Sequence, residues 1–133
     1  MIKLGSFVLA LSLFSSISFA ATDKKVNCKD EKNYPLIEKS ELTTLLDQKA
    51  VFVIDVNNKE SFEKTHVPTA INFGMEKANF AKKLPADKNS LIVAYCGGPK
   101  CEAWKKAAME ACNNGYTNIK HYKGGISGWN AKM

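Results

Sequence analysis

The sequence contains no arginine and only two histidines among its 133 residues. Its formal net charge of +6 therefore comes from lysines, which are scattered along the chain. Without a basic cluster we expect no nucleic-acid partner. No histidine or further cysteine lies at ligand spacing around the closest pair of cysteines, so we expect no metal site, and we expect no cofactor. The scattered lysines predict a soluble surface whose modest positive field attracts small anionic substrates.

Long apolar runs are also missing, except near the N-terminus. Residues 1–20 combine one lysine, a short apolar run interrupted by serines, and Ser18-Phe19-Ala20 before Ala21. Small residues at both ends of that triplet are typical of a signal-peptide cleavage site. The run is too short to span a bilayer, which requires roughly 20 apolar residues. We therefore predict that residues 1–20 are a signal peptide, that the mature protein is exported to the periplasm, and that no membrane attachment remains after cleavage.

The remaining 113 residues, 21–133, lack internal repeats and low-complexity tracts, which excludes a repeat array or a second domain. A chain of this length buries roughly two thirds of its unfolded surface and needs no disulfides to fold. We expect a polar segment at 21–33 and one domain at 34–133. Export allows disulfides, but the four cysteines permit three full pairings, and the sequence does not choose between them. It also leaves the oligomeric state open.

Strand and helix patterns alternate along the domain. A helix starting at an N-cap Ser40 is predicted from its leucine spacing, and another helix follows residue 103 with its apolar residues on one stripe. Such alternation predicts an α/β fold with a parallel sheet and helices on both faces. The expected strands are a short edge strand at 34–38, buried strands at 51–56 and 90–95, a short strand at the end of the extended segment 67–73, and a last strand at 118–122.

Cys96 stands where the strand at 90–95 gives way to the following helix. Ligands of parallel sheets bind at this carboxyl edge, and loop and helix N–H groups converge there to stabilise an anion. Lys100 adds a positive charge, so the position predicts a cysteine nucleophile. The predicted substrate-binding loop consists of Gly97, Gly98, Pro99, Lys100 and Cys101. Asp55, at the end of the strand at 51–56, is predicted to support this loop through hydrogen bonds, because a thiolate needs no general base.

Several short pieces, in order and spacing, carry a family resemblance across nearly the whole mature chain. They are residues 54–56 with Phe62, 66–68 leading to 70–72, 84–88, 92–96, 115–119, and 124–126 with Trp129. The chain resembles a single-domain rhodanese, a sulfurtransferase module. The resemblance implies a central parallel sheet of about five strands, with Cys96 carrying sulfur as a persulfide. It also implies a small anionic donor such as thiosulfate, polysulfide or a mercapto acid, and cyanide, a thiol or a protein as the acceptor.

Sulfur transfer of this kind has clear physical requirements. A thiolate attacks a sulfane sulfur and then holds it as a persulfide, which is also an anion. Free cysteine titrates at about 8.5, and helix N-termini or nearby cations lower this value to roughly 3.5 to 7.5. A loop of inward-pointing N–H groups stabilises both anions with little reorganisation. Gly97 and Gly98 suit such a tight loop, and Lys100 offers charge to the donor.

The loop also departs from its relatives. The position after the nucleophile is often arginine in thiosulfate users, and here it is Gly97. Pro99 replaces a loop glycine and removes one N–H donor. Asn57 and Ser61 stand where many relatives carry an arginine and a glutamate, so a supporting ion pair is missing. The donor therefore stays open between thiosulfate and polysulfide.

The sequence also excludes phosphatases of similar fold. Their longer loop ends in an arginine that binds phosphate, whereas this chain has no arginine and places Glu102 at that position. A carboxylate there would repel a phosphoryl group.

Cys101 has two interpretations. It is either a thiol that closes a reversible disulfide with Cys96 or receives its sulfur, or a small helix-start residue whose side chain faces away. The first interpretation brings an alternative function, a thiol redox or sulfur-carrier module without efficient turnover. Cys112 is expected to be inert or paired with Cys28. Both histidines are expected to be structural, His121 on a strand.

Overall fold

The structure is a computed structural model that describes residues 25–132. The predicted signal peptide and the start of the polar segment lie outside the described residues. Between residues 25 and 132, no helix combines the length and the hydropathy needed to cross a bilayer.

The described residues form one sheet of four parallel strands, in the spatial order β2-β1-β3-β4. The strands are β1 (Phe52–Asp55), β2 (Ile71–Asn72), β3 (Ile92–Tyr95) and β4 (Ile119–His121). The register places Asp55 of β1 opposite Tyr95 of β3, so the carboxyl ends of these two strands lie side by side. The predicted α/β class with a parallel sheet is confirmed.

The expected edge strand at 34–38 shortens to one parallel bridge between Leu36 and His121. The Ile37 amide donates to the His121 carbonyl at 3.0 Å, and the His121 amide donates to the Pro35 carbonyl at 2.9 Å. Pro35 has no N–H to extend this ladder, and a helix begins only three residues after Leu36. The sheet of about five strands is therefore four strands and a bridge in the described chain.

Five α-helices are described: α1 (Lys39–Asp47), α2 (Lys59–Lys64), α3 (Phe80–Lys83), α4 (Trp104–Asn113) and α5 (Gly125–Asn130). The prediction that Ser40 caps α1 is wrong. The Leu42 amide already donates to the Glu38 carbonyl at 3.0 Å, so helical hydrogen bonding begins before Ser40, and the N-cap position belongs to Glu38. Gly115 follows the end of α4 with a φ of +94°, the left-handed conformation that glycine commonly adopts after a helix.

Helices cover both faces of the sheet, as predicted. Successive residues of β3 point to opposite faces: Ile92 and Ala94 join the core beneath α3 and α4. Val93 and Tyr95 join the core beneath α1, α2 and α5. All four side chains are fully buried, which is why this strand reads as a continuous apolar run.

The polar N-terminal segment is fastened to the domain. A disulfide joins Cys28 to Cys112 near the end of α4, with a Cα–Cα distance of 5.7 Å. The Tyr34 hydroxyl donates to the Cys28 carbonyl at 2.6 Å, and its ring packs edge-on against Trp104. Of the two alternatives for Cys112, inert or paired with Cys28, the pairing is the one found.

Helix α5 is tied to α1 by one ammonium group. Lys39 Nζ lies 2.7 Å from the Trp129 carbonyl, 3.0 Å from the Ala131 carbonyl and 3.3 Å from the Gly128 carbonyl. Carbonyls at the end of a helix have no helical partner, and a cation there satisfies them.

Candidate active site at the Cys96 loop

Cys96 lies at the carboxyl end of β3, a central strand of the sheet, and only 2% of its surface is exposed. The Val56 amide donates to the Tyr95 carbonyl at 2.9 Å, so strand pairing continues up to the residue before the cysteine. The sheet thus fixes where the loop begins.

The start of α5 forms the floor of the loop. The Ile126 amide donates to the Cys96 carbonyl at 2.9 Å, and the Ser127 amide donates to the Gly97 carbonyl at 3.0 Å. Gly125 makes this approach possible: its φ is +60°, and a Cβ there would lie 2.6 Å from both the Cys96 oxygen and the Gly98 nitrogen. Only glycine fits at that position.

In this arrangement the carbonyls of the loop accept hydrogen bonds, whereas most of its amides donate none. The Cys101 amide closes a turn on the Gly98 carbonyl at 3.1 Å. Within the described chain, no hydrogen bond uses the amides of Gly97, Gly98 or Lys100. These N–H groups are therefore free to bind an anion at the loop.

The outer part of the loop is open to solvent. Pro99 and Lys100 are exposed, and Pro99 lines a cavity of about 380 Å³ together with Tyr122, Lys123 and Gly124, among others. A larger groove of about 950 Å³ lies elsewhere, beside the Cys28–Cys112 disulfide. Of these two cavities, the smaller one adjoins the loop, through Pro99.

Cys96 and Cys101 form a disulfide in this structure, with a Cα–Cα distance of 6.2 Å and a sequence separation of five residues. The Cys101 side chain therefore faces Cys96, and the alternative in which it faces away is not the arrangement found. The structure represents an oxidised state, in which Cys96 is not available as a nucleophile until the disulfide is reduced.

Asp55 is fully buried beneath the loop, and both of its carboxylate oxygens are engaged. The Tyr95 hydroxyl donates to Oδ2 at 2.5 Å, and the Asn57 amide donates to Oδ1 at 2.7 Å. The Tyr95 hydroxyl in turn accepts the Val67 amide at 2.9 Å. Burial, then the hydrogen bond to Asp55, raises the pKa of Tyr95 far above its usual value of 10. Asp55 thus braces the strand ends that carry the loop and does not bind a loop amide.

The sequence predicts no contact with the loop for Asn57 or Ser127, yet both side chains lie against it. A Cβ on Gly97 would lie 3.6 Å from Asn57 Oδ1, and one on Gly98 would lie 2.8 Å from Ser127 Oγ. The Asn57 Nδ2 atom is buried without a hydrogen-bond partner in the described part of the chain. The position of Asn57 directly after the strand at 51–56 was a usable signal, whereas Ser127 reaches the loop only through tertiary packing.

His121 is buried on β4, where its ring stacks on Trp104 at a centroid distance of 3.7 Å. Burial lowers the pKa of His121 to about 4. Its structural role, as predicted, is to pack the start of α4 against the sheet. His66 is exposed and stacks on Phe62. Across residues 25–132 there is no cluster of three or more histidine, cysteine or acidic side chains that could hold a metal.

Comparisons with known proteins agree with this geometry. The family model of the rhodanese-like domain matches residues 38–132. A tRNA uridine(34) hydroxylase of Erwinia tasmaniensis is 31% identical over 113 residues, covering 79% of this chain and 30% of the relative. The protein of that name from Sodalis glossinidius is 32% identical over 98 residues, covering 68% of this chain and 26% of the relative. The chain thus spans less than a third of the length of these curated relatives.

Solved structures show the same fold. A human single-domain sulfurtransferase superposes with a TM-score of 0.60 at 23% identity, covering 74% of this chain and 97% of that one. A single-domain sulfurtransferase of Saccharomyces cerevisiae gives a TM-score of 0.55 at 20% identity, covering 72% and 88%.

Proposed function

The chain belongs to the family of rhodanese-like domains, and on this premise we propose that it is a sulfurtransferase that works through a persulfide on Cys96. The observation that carries the proposal is the loop itself. Its nucleophile sits at the end of a central strand, its carbonyls are bonded to α5, and the amides of Gly97 and Gly98 are free.

The proposed cycle has two steps. The Cys96 thiolate attacks the sulfane sulfur of an anionic donor, forming a sulfur–sulfur bond and breaking the donor's own. With thiosulfate the leaving group is sulfite, and with polysulfide it is the shortened polysulfide. A thiol or cyanide then takes the outer sulfur, and Cys96 returns to thiolate. The free loop amides stabilise the thiolate, the persulfide and the charge between them.

The donor is a small anion in this proposal, drawn to the loop by the exposed Lys100. Pro99 supplies no N–H, so the loop has fewer donors for the oxygens of thiosulfate than a loop with glycine there. We therefore do not propose thiosulfate over polysulfide as the donor.

The relatives named tRNA uridine(34) hydroxylase do not extend the proposal to RNA. This chain covers only 26–30% of those proteins. It lacks arginine, and its lysines are scattered, which is unlike a surface that binds phosphate backbones. The proposal is limited to sulfur transfer.

We also propose export to the periplasm. The signal-like residues 1–20 support it, and so does the Cys28–Cys112 disulfide, because such bonds persist in oxidising compartments. The N-terminal sequence of the protein recovered from the periplasm tests this proposal. A mature chain beginning at Ala21 is expected, and full-length protein confined to the cytoplasm contradicts export.

The test of the main proposal uses reduced protein, because the disulfide blocks Cys96. Incubation with thiosulfate or polysulfide, followed by intact-mass measurement, is expected to show an adduct of one sulfur atom. The adduct is absent in Cys96→Ser and present in Cys112→Ser, which is the matched control. If no donor gives an adduct on either the wild-type protein or Cys101→Ser, the proposal fails.

A second candidate function is favoured by the Cys96–Cys101 disulfide. In this alternative the pair exchanges electrons with other thiols as a dithiol–disulfide module and carries no sulfur efficiently. Redox cycling of both thiols, with no hydrosulfide released and no sulfur adduct on the wild type or on Cys101→Ser, supports this alternative and contradicts persulfide catalysis.

A further inference from the structure

The loop holds a second sulfur at bonding distance from the proposed nucleophile. The Cα atoms of Cys96 and Cys101 are 6.2 Å apart, within the range of about 4.4 to 6.8 Å that disulfides require. The bonds from α5 to the Cys96 and Gly97 carbonyls coexist with this disulfide. Closing the bond therefore leaves the floor of the loop in place.

The two sulfurs differ in accessibility. Cys96 is buried, whereas Cys101 is partly exposed at the solvent end of the loop. An external thiol reaches Cys101 more readily than Cys96. Attack on the Cys101 sulfur releases Cys96 as the leaving thiolate, at the position where the free loop amides stabilise an anion. Reduction from this side regenerates the nucleophile in its reactive form.

From these observations we infer that Cys101 is the resolving thiol of the cycle and that the persulfide ends as hydrosulfide. The inference rests on the proposed function. The Cys101 thiolate attacks the Cys96 Sγ atom of the persulfide, the Cys96–Cys101 bond forms, and the bond to the outer sulfur breaks. The outer sulfur leaves with the electron pair and one proton as hydrosulfide. It gains two electrons, and the two cysteines lose two.

The next turnover requires a two-electron reductant, which we assign to the class of dithiols. A dithiol opens the disulfide through a mixed disulfide on Cys101 and leaves as its own disulfide. Each turnover therefore consumes one sulfane sulfur and one dithiol, and yields one hydrosulfide. The protein stands between a reaction that supplies sulfane sulfur and one that consumes sulfide.

A single-turnover experiment without reductant tests this step. Protein reduced by dithiothreitol is desalted under anaerobic conditions and mixed with one equivalent of thiosulfate, whose leaving group is sulfite, so that hydrosulfide can come only from the resolving step. The wild type is expected to release one hydrosulfide per chain and to lose the Cys96 and Cys101 thiols together. Cys101→Ser is expected to keep the adduct and to release hydrosulfide at least about tenfold more slowly, because it loses the intramolecular attack. Cys112→Ser, which lies outside the loop, is expected to match the wild type.

Each other outcome has a defined meaning. Equal hydrosulfide release by Cys101→Ser overturns the inference and leaves the proposed function intact, since the adduct still forms. A wild-type disulfide that forms without hydrosulfide also overturns it. No adduct on either protein overturns the proposed function and this step with it. Cys101→Ala and thermal unfolding of each variant show whether a loss reflects the thiol or the fold.

Discussion

The two disulfides of this protein enclose very different lengths of chain. Cys28–Cys112 spans 84 residues and joins the N-terminal segment to α4, whereas Cys96–Cys101 spans five and lies inside the candidate active site. The chain-entropy relation gives about 4.5 kcal/mol of stabilisation for the long span and about 2 kcal/mol for the short one. The comparison teaches that the long bond contributes more to the stability of the fold, whereas the short bond lies where the proposed chemistry takes place.

Removing the long bond should give the largest change in stability. Cys28→Ala combined with Cys112→Ala is expected to lower the free energy of unfolding by about 4 kcal/mol, because the unfolded chain regains its freedom. Urea unfolding, with Cys96 and Cys101 kept oxidised, measures this. Adduct formation on reduced Cys96 should be unchanged well below the unfolding midpoint. A parallel loss of adduct formation would break the distinction between the two regions.

A pair of glycine variants sharpens the comparison, with one glycine in each region. Gly125→Ala places a Cβ 2.6 Å from loop backbone atoms, and we expect a loss of about 3 kcal/mol together with slower adduct formation. Gly115→Ala, near the long disulfide, has a φ of +94° but no neighbour closer than 3.8 Å. It should cost about 1 kcal/mol through backbone strain alone and leave adduct formation unchanged. Equal effects of the two variants on activity would show that α5 does not hold the loop.

The free energy of unfolding should depend on pH through His121, which packs against the start of α4. The disulfide at the other end of α4 has no group that titrates. Burial holds the pKa of His121 at about 4 in the folded protein, against 6.5 when exposed, and Glu102 nearby only partly offsets this. The unfolded chain therefore binds the proton first, and the free energy of unfolding falls as the pH drops from 6.5 toward 4. The loss should be about 2 to 3 kcal/mol. His121→Phe keeps an aromatic ring on Trp104 without the titration, so urea unfolding across this window should lack that slope.

Opening the short bond should give the smallest change in stability. Cys101→Ser, with the long disulfide intact, is expected to lower the free energy of unfolding by no more than about 2 kcal/mol. The same variant should lose the rapid release of hydrosulfide. Urea unfolding and sulfide assays on one preparation make the comparison direct. A loss as large as that of the long bond would mean that Cys101 has a mainly structural role.

Much of the fold follows from the sequence, because buried parallel strands leave continuous apolar runs. The run before Cys96 predicts both β3 and the position of the loop at its end. Short elements were harder to delimit. The short strand expected at the end of 67–73 is found as β2, with only two residues, and the expected edge strand became a bridge beside Pro35. Elements this short contain too few residues for a sequence pattern to fix their bounds.

The candidate site likewise has features that the sequence predicts and features that it does not. Cys96 and its glycine-rich loop are local features, so their positions are predictable from spacing. The hydrogen-bond partner of Asp55 is not, since Tyr95 is distant in sequence and reaches it through strand register. The bond between Cys28 and Cys112 was one of two alternatives for Cys112, and only the packing of α4 decides between them. The contact of Ser127 with the loop likewise depends on where the last helix docks.

The last helix is held at both ends, and this affects how the protein can be joined to others. Its first amides are bonded to the Cys96 and Gly97 carbonyls, and its final carbonyls to the Lys39 ammonium. A protein fused after the C-terminus would load this helix and, through it, the two carbonyls that set the shape of the loop. A protein fused to the segment before Cys28 would pull on the Cys28–Cys112 disulfide, which lies on the opposite side of the fold from the loop. Attachment on the N-terminal side should therefore disturb the shape of the loop less than attachment after the C-terminus.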